Sequence, residues 1–150
     1  MRVLIQRVRS ASVAVEGREV SRIGAGMLAL LGIEVGDTDD DARWIVQKLL
    51  KLRVFDDADG VMNLDVGAVG GEIMVVSQFT LLASTRKGNR PSYVRAAGEQ
   101  VSRPMYERFV GMIEQATGMR PAAGVFGADM QVSLVNDGPV TIWIDSRNRE

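Results

Sequence analysis

The chain has no cysteine and no histidine. These two absences remove Ser-His-Asp and Cys-His catalysis, thiolate chemistry, disulfides and ordinary zinc sites. An enzyme built from this inventory must move protons with serine, threonine, lysine, tyrosine, carboxylates, backbone groups, or a group that the substrate brings. Charge of one sign is lacking too. With 18 Lys and Arg against 19 Asp and Glu the net charge is −1, so a nucleic-acid or membrane partner would have to be met by a local patch. No apolar run approaches a membrane span, and MRVLIQRVRS lacks a signal-peptide core, so the expected location is cytoplasmic, with no membrane partner. An all-carboxylate Mg²⁺ or Ca²⁺ site stays open in principle. Nothing has EF-hand spacing, however, and neither a metal nor another cofactor is expected.

What is present fits one compact domain over residues 1–150, at 46% hydrophobic and 25% charged residues. MRVLIQRV and ASVAVEG read as a pair of strands, with Val3, Ile5 and Arg7 on one side and Leu4, Gln6 and Val8 on the other. Gly17 offers a turn into the short strand VSRIG. GMLALLGIEV is nearly all apolar, as in a strand buried on both faces. From Thr38 the period changes to helical, with Ala42, Ile45, Val46, Leu49 and Leu50 on one stripe. Thr38 is the expected N-cap. Asp39, Asp40 and Asp41 suit the positive first turn and Lys48, Lys51 and Arg53 the last, a helix-dipole role rather than a metal site.

FDDADG closes that segment, and GEIMVVSQFTLL is the next strand. A second helix is expected from about residue 102 to 117, with Pro104 in its first turn, Gly118 as C-cap, and Met105, Phe109, Met112, Ile113 and Ala116 buried. Its methionines read as core filler. DMQVSLV and VTIWID are alternating strands flanking the turn signal NDGP. The predicted fold class is α/β: a mixed, mostly antiparallel sheet covered by two helices.

Chemistry has three candidate places. Ser77, Gln78 and Thr80 are hydrogen-bonding side chains at the end of an apolar strand, where backbone N–H groups can meet a ligand. The plain alternative is a strand fraying into polar residues. Alternation would put Ser77 and Phe79 on one face, Gln78 and Thr80 on the other. Residues 81–98 carry Arg86, Lys87, Arg90 and Arg95 without one Asp or Glu. With Tyr93 for stacking and Asn89 and Ser92 for polar contacts, they suit an anionic partner, a solvated loop being the bland reading. The third place is NDGP. Gly138 tolerates positive φ, while Pro139 gives no N–H where a returning strand should begin donating. On residues alone an ordinary trans hairpin is the expectation.

Taken together, SQFTLL, RKGNRPSY and FGADMQVSLVNDGPVT resemble the D-aminoacyl-tRNA deacylase family, also called D-tyrosyl-tRNA deacylase. The opening MRVLIQRVRSASVAVEG and GMLALLGIE fit it as well. SQFT and N-x-G-P-x-T, present as Asn136, Gly138, Pro139 and Thr141, carry most of the specificity.

The resemblance implies a homodimer with barrel-like sheet packing. It would hydrolyse the ester of D-aminoacyl-tRNA, and of glycine wrongly attached to tRNA. It also implies a cis Gly138-Pro139 bond, replacing the trans expectation, and entry of that turn into the partner subunit's site as a rigid gate against L side chains. Ser77, Gln78, Phe79 and Thr80 would form the pocket for the aminoacyl end, with the Phe79 and Thr80 amides on the ester carbonyl. Gly138 and Pro139 would face the substrate's Cα, and Phe126 and Met130 would line the pocket. Arg86, Lys87 and Arg90 would meet the acceptor stem.

Because no histidine can take a proton from Thr80, the inventory favours hydrolysis assisted by the 2′-hydroxyl of the terminal adenosine over a threonine nucleophile. Lys87 is near in sequence but suits phosphate contacts. A non-catalytic tRNA- or RNA-binding module and a general esterase for small activated esters are the competing functions. The first leaves SQFT without a role, and the second lacks a substrate hydroxyl to help.

Overall fold

The computed structural model describes residues 1–149; Glu150, the last residue of the predicted domain, lies outside the described residues. In chain order the elements are β1 (Arg2–Val15), β2 (Arg18–Ile23), β3 (Gly26–Gly32), α1 (Asp39–Lys51), β4 (Phe55–Asp56) and β5 (Met62–Leu64). There follow β6 (Glu72–Ser77), a 3₁₀ turn (Phe79–Leu82), α2 (Glu99–Thr117), β7 (Ala122–Ala123) and β8 (Met130–Asp145).

The two opening segments are one strand, because nothing between them reverses the chain and β8 runs antiparallel beside both halves. On the other edge of β1, residues 2–8 pair antiparallel with β3 and residues 11–15 with β2. Glu16 and Gly17, at φ 50 and 75, make the tight turn into β2; two positive φ values give the twist that a two-residue hairpin needs. β6 lies parallel to β3 and β7 parallel to β6. Parallel neighbours need crossovers, and α1 with the β4–β5 hairpin provides one, α2 the other. β2 comes back near β6 and β7, so the mixed sheet curls towards a barrel.

Alternate residues of the buried strands serve two cores. Met27, Ala29 and Leu31 of β3 and Ile73 and Val75 of β6 face the helices, where Ile45, Leu49, Phe109 and Ile113 meet them. Leu28, Met74 and Val76 face the opposite side with Val8, Ala11 and Val13. Val3 and Ile5 belong to the first core and Ala11 and Val13 to the second. The pairing irregularity of β1 with β8 between Gln6 and Ser10 shifts the phase of the strand and carries it from one core to the other.

The aspartates of α1 serve as cap and ion-pair partners. The Asp41 carboxylate accepts from the Thr38 backbone N–H and hydroxyl, both at 2.9 Å, Asp40 pairs with Arg43, and Asp39 pairs with Arg108 of α2. Arg53 falls beyond the helix and donates to the Asn63 carbonyl.

α2 starts at Glu99, earlier than Pro104 suggested. Pro104 sits more than one turn inside, and the carbonyl it cannot reach belongs to exposed Gln100. The buried stripe includes Tyr106 and Val110, while Met112 is half-buried and Ala116 exposed. Gly118 caps the helix at φ 74, as expected. Among the described residues no helix is long and apolar enough to cross a membrane.

Candidate active site

The alternation expected through Thr80 stops at Ser77. Gln78 makes one more ladder bond, N–H to the Leu31 carbonyl at 2.7 Å, and the chain then tightens, with Leu81 N–H donating to Gln78 O and Ala83 N–H to Thr80 O. The Phe79 and Thr80 amides precede the first carbonyl that such a turn can offer, so they are left open to an outside acceptor. The turn lies close on β3 at Gly32, where an added Cβ would stand 3.0 Å from Gln78 O and 3.1 Å from Leu81 Cβ. Arg2 holds it from outside: one guanidinium nitrogen donates to Leu81 O at 3.0 Å, and Asp145 fixes another at 2.8 Å.

Beside this turn is a cavity of about 280 Å³. Ser77, Gln78 and Phe79 line it together with Phe126, Asp129 and Met130, so five of the residues picked from sequence come together. Leu31, Ile33, Val76, Ala97, Ser102, Gly127, Ala128 and Val132 complete the lining. Thr80 is one residue beyond it, its hydroxyl bonded to the Gln78 side-chain amide. An amide is no base in either orientation.

Phe126 is held on two sides. The Tyr106 ring lies 5.6 Å away and the Arg103 guanidinium 4.9 Å from the ring centroid, with Arg103 also donating to the Phe126 carbonyl at 3.4 Å. Burial, and then the negative charge of Glu107, push the Tyr106 phenol up to about 12; it stays a neutral donor to Val75 O at 2.8 Å and offers no base. On the open side Phe79 is 56% exposed and packs edge-on against Tyr93 at 5.0 Å.

NDGP is not a hairpin turn. DMQVSLV and VTIWID belong to one strand, since both pair with β1. Between Val8↔Asn136 and Gln6↔Thr141, β1 advances two residues while β8 advances five, so Asp137 to Val140 bulge out of the ladder. Asn136 closes the neck: its side-chain oxygen accepts from Val140 N–H at 2.8 Å and its NH₂ donates to the Thr141 hydroxyl at 3.0 Å. Buried Arg7 backs the bulge, donating to Asp137 O at 2.9 Å and Val54 O at 2.5 Å. This is why Pro139 is tolerated. Looped out, it has no ladder bond to give. Gly138-Pro139 is cis, against the expectation from residues alone and with the one from the resemblance, and Gly138 has φ 132. Both residues are exposed, and neither lines the cavity of its own chain.

Arg86, Lys87 and Arg90 stand exposed on a loop pinned at its neck by the reciprocal backbone bonds of Ser84 and Ser92. Arg95, from the same basic stretch, is held by buried Glu34 at 2.7 Å. The described residues contain no cluster of acids able to hold a metal ion. Sequence reasoning missed Arg7, Arg103, Tyr106 and Asp129 as parts of the site. Only Asp129 had a local signal, lying between Phe126 and Met130.

Residues 4–145 match the family described as D-Tyr-tRNA(Tyr) deacylase. Relatives named D-aminoacyl-tRNA deacylase from Chromobacterium violaceum and Bacteroides thetaiotaomicron are 58% and 54% identical, each over the full length of both chains. A solved structure titled "c-Myc DNA Unwinding Element Binding Protein" is 39% identical with a TM-score of 0.92, covering 97% of this chain and 98% of that one. Another, titled as a probable eukaryotic D-amino acid tRNA deacylase, shares the fold at TM-score 0.79 and 19% identity, over 95% and 97% of the two chains. A match that runs almost end to end, with relatives more than half identical along the whole chain, means that this protein belongs to the D-Tyr-tRNA(Tyr) deacylase family.

Proposed function

We propose that this hydrolase cleaves the ester between a D-amino acid and the 3′ end of tRNA, and that of glycine misattached to tRNA. Water adds to the ester carbonyl, the bond to the ribose 3′-oxygen breaks, and free amino acid and tRNA leave. The observation that carries the reading is the open pair of Phe79 and Thr80 amides at the edge of the cavity. Two fixed donors there would hold the ester carbonyl and stabilise the oxyanion as it develops. Ser77, Gln78, Phe126 and Met130 would receive the aminoacyl end. Arg86, Lys87 and Arg90 would contact phosphates, and the tRNA substrate would place the work, by one domain, in the cytoplasm.

A second copy of the chain would supply Gly138 and Pro139 as a steric gate to Cα. That reading is supported by their exposure away from their own cavity, and by exposed Val135 and Trp143 on β8, whose one strand partner among the described residues is β1. Substrate-assisted chemistry draws support from Thr80, whose hydroxyl meets an amide and no base. The terminal 2′-hydroxyl would help activate water.

Fast release from D-aminoacyl-tRNA with almost none from the L form is expected; equal rates would remove the proposal. Thr80→Ala should keep much of its activity, whereas a substrate ending in 2′-deoxyadenosine should be nearly inert. The reverse pattern would make Thr80 the nucleophile. A second reading, nucleic-acid binding without turnover, rests on the basic loop and on the DNA-binding title of one structural relative. It predicts salt-sensitive binding to uncharged tRNA and no ester cleavage.

A further inference from the structure

The family match stops at Asp145, but the chain beyond it stays on the body of the fold. Ser146 is buried and its N–H donates to the Met1 carbonyl at 2.9 Å. Arg147 donates to the Val35 carbonyl at 2.8 Å and lies 3.1 Å from Asp37. Arg149 donates to the Ser146 carbonyl at 2.8 Å and brings its guanidinium to 4.5 Å from the Trp44 ring centroid. Lys48 of α1 lies over the same ring at 5.5 Å. Neither Lys48 nor Arg149 has a carboxylate partner among the described residues. The acids of α1 are engaged elsewhere, Asp39 by Arg108, Asp40 by Arg43 and Asp41 by Thr38. Two like charges gathered on one ring repel, and a cation–π contact returns only about 0.5–1 kcal/mol at an exposed site. An anion lying across both relieves the repulsion.

This pair is tied to the site already described. One oxygen of Glu34 meets Arg95, at the root of the basic loop, at 2.7 Å and Arg147 at 3.7 Å. Arg2 holds the 3₁₀ turn through Leu81 O and is itself fixed by Asp145, which accepts from the Arg147 N–H at 2.9 Å. From Asp145 to Arg149 the chain can span at most about 14 Å. A nucleic-acid duplex carries a charge about every 1.7 Å of its axis, so one that leaves the cavity on this side meets the pair with phosphates.

We propose that Lys48 and Arg149, gathered on Trp44, form a second phosphate-binding surface for tRNA, separate from the loop of Arg86, Lys87 and Arg90, that takes the backbone of the acceptor stem. The inference rests on the tRNA substrate of the reading above. Phosphate contacts position a ligand without reading its bases, so this surface adds affinity and no sequence preference.

The probe is uncharged tRNA, with its Kd measured across a potassium chloride series. Lys48→Ala combined with Arg149→Ala should lower the slope of log Kd against log salt by about one to two and weaken binding about three- to tenfold at physiological salt, as for the loss of two phosphate contacts. In turnover the same double variant should raise KM for D-aminoacyl-tRNA by a similar factor and leave kcat unchanged. Lys48→Arg with Arg149→Lys should retain the slope. Lys51→Ala removes a charge from the same helix, but one set against Asp65 at 4.0 Å, and should alter neither slope nor Kd. An unaltered slope in the double alanine variant, an equal loss in Lys51→Ala, or a fall in kcat with KM unchanged would overturn the proposal. Wild-type protein that binds tRNA with the expected slope yet cleaves no ester would instead remove the esterase reading and leave this surface standing.

Discussion

Arg7→Lys separates the charge of a buried side chain from its shape. The guanidinium reaches two carbonyls at once, Asp137 O at 2.9 Å through Nε and Val54 O at 2.5 Å through Nη1. An ammonium is one point and cannot span both. Its further contacts, Asp56 at 3.4 Å and Asp137 at 3.5 Å, involve partly exposed carboxylates and contribute below about 1 kcal/mol each.

The substitution therefore loses one hydrogen bond from a charged donor, worth about 1.5–3 kcal/mol, and leaves one carbonyl unpaired. Taking ~2 kcal/mol, a chain of this size should lose roughly 4–8 °C in Tm. Urea unfolding should show a lower midpoint with an unchanged slope. If the bulge of Asp137 to Val140 is the gate, the same ~2 kcal/mol of lost support reduces the ratio of D- to L-aminoacyl-tRNA hydrolysis by up to about thirtyfold. A variant with wild-type midpoint and wild-type ratio would refute the claim that Arg7 buttresses the bulge.

Three other substitutions probe the frame around the site. Gly138→Ala puts a Cβ 2.8 Å from Val140 Cγ2 at φ 132, a conformation that L side chains resist, and should cost about 1–3 kcal/mol in urea unfolding; no loss would mean that the bulge relaxes freely. Arg103→Ala removes the cation over Phe126 and should raise KM about two- to fivefold with stability changed by less than ~1 kcal/mol, and an unaltered KM would deny the clamp a role. Burial tends to raise the Asp145 carboxyl, but the Arg147 N–H and the Arg2 guanidinium outweigh it and hold the group below the usual carboxylate range. A depressed folded value stabilises above the unfolded one and is lost as pH falls through it. Asp145→Asn should thus be destabilised by about 1–2 kcal/mol at pH 7, with a weaker further loss below pH ~4. Parallel acid limbs for variant and wild type would contradict this.

Much of the frame was legible because it depends on local periodicity. The α1 stripe, its Thr38 cap, the Gly118 cap and the doubly buried β3 follow from spacing and from residue types whose preferences act within a turn or two. Ser77, Gln78, Phe79, Phe126 and Met130, separated by up to about fifty residues in the chain, line one cavity. Tyr106 and Arg103 could not be read as its supports, because what they hold lies twenty or more residues further along the chain.

By itself the sequence determined that catalysis must work without histidine or thiol, where the two helices and the main extended segments lie, and that a non-donating proline next to a glycine interrupts a ladder near residue 139. Only the tertiary structure decided what kind of interruption it is. Turn residues report that the chain departs from extended geometry, but not whether the flanking strands pair with each other or with a third. Here both pair with β1, so NDGP bulges from a continuous strand instead of reversing it, and Arg7, more than a hundred residues away in the chain, backs it.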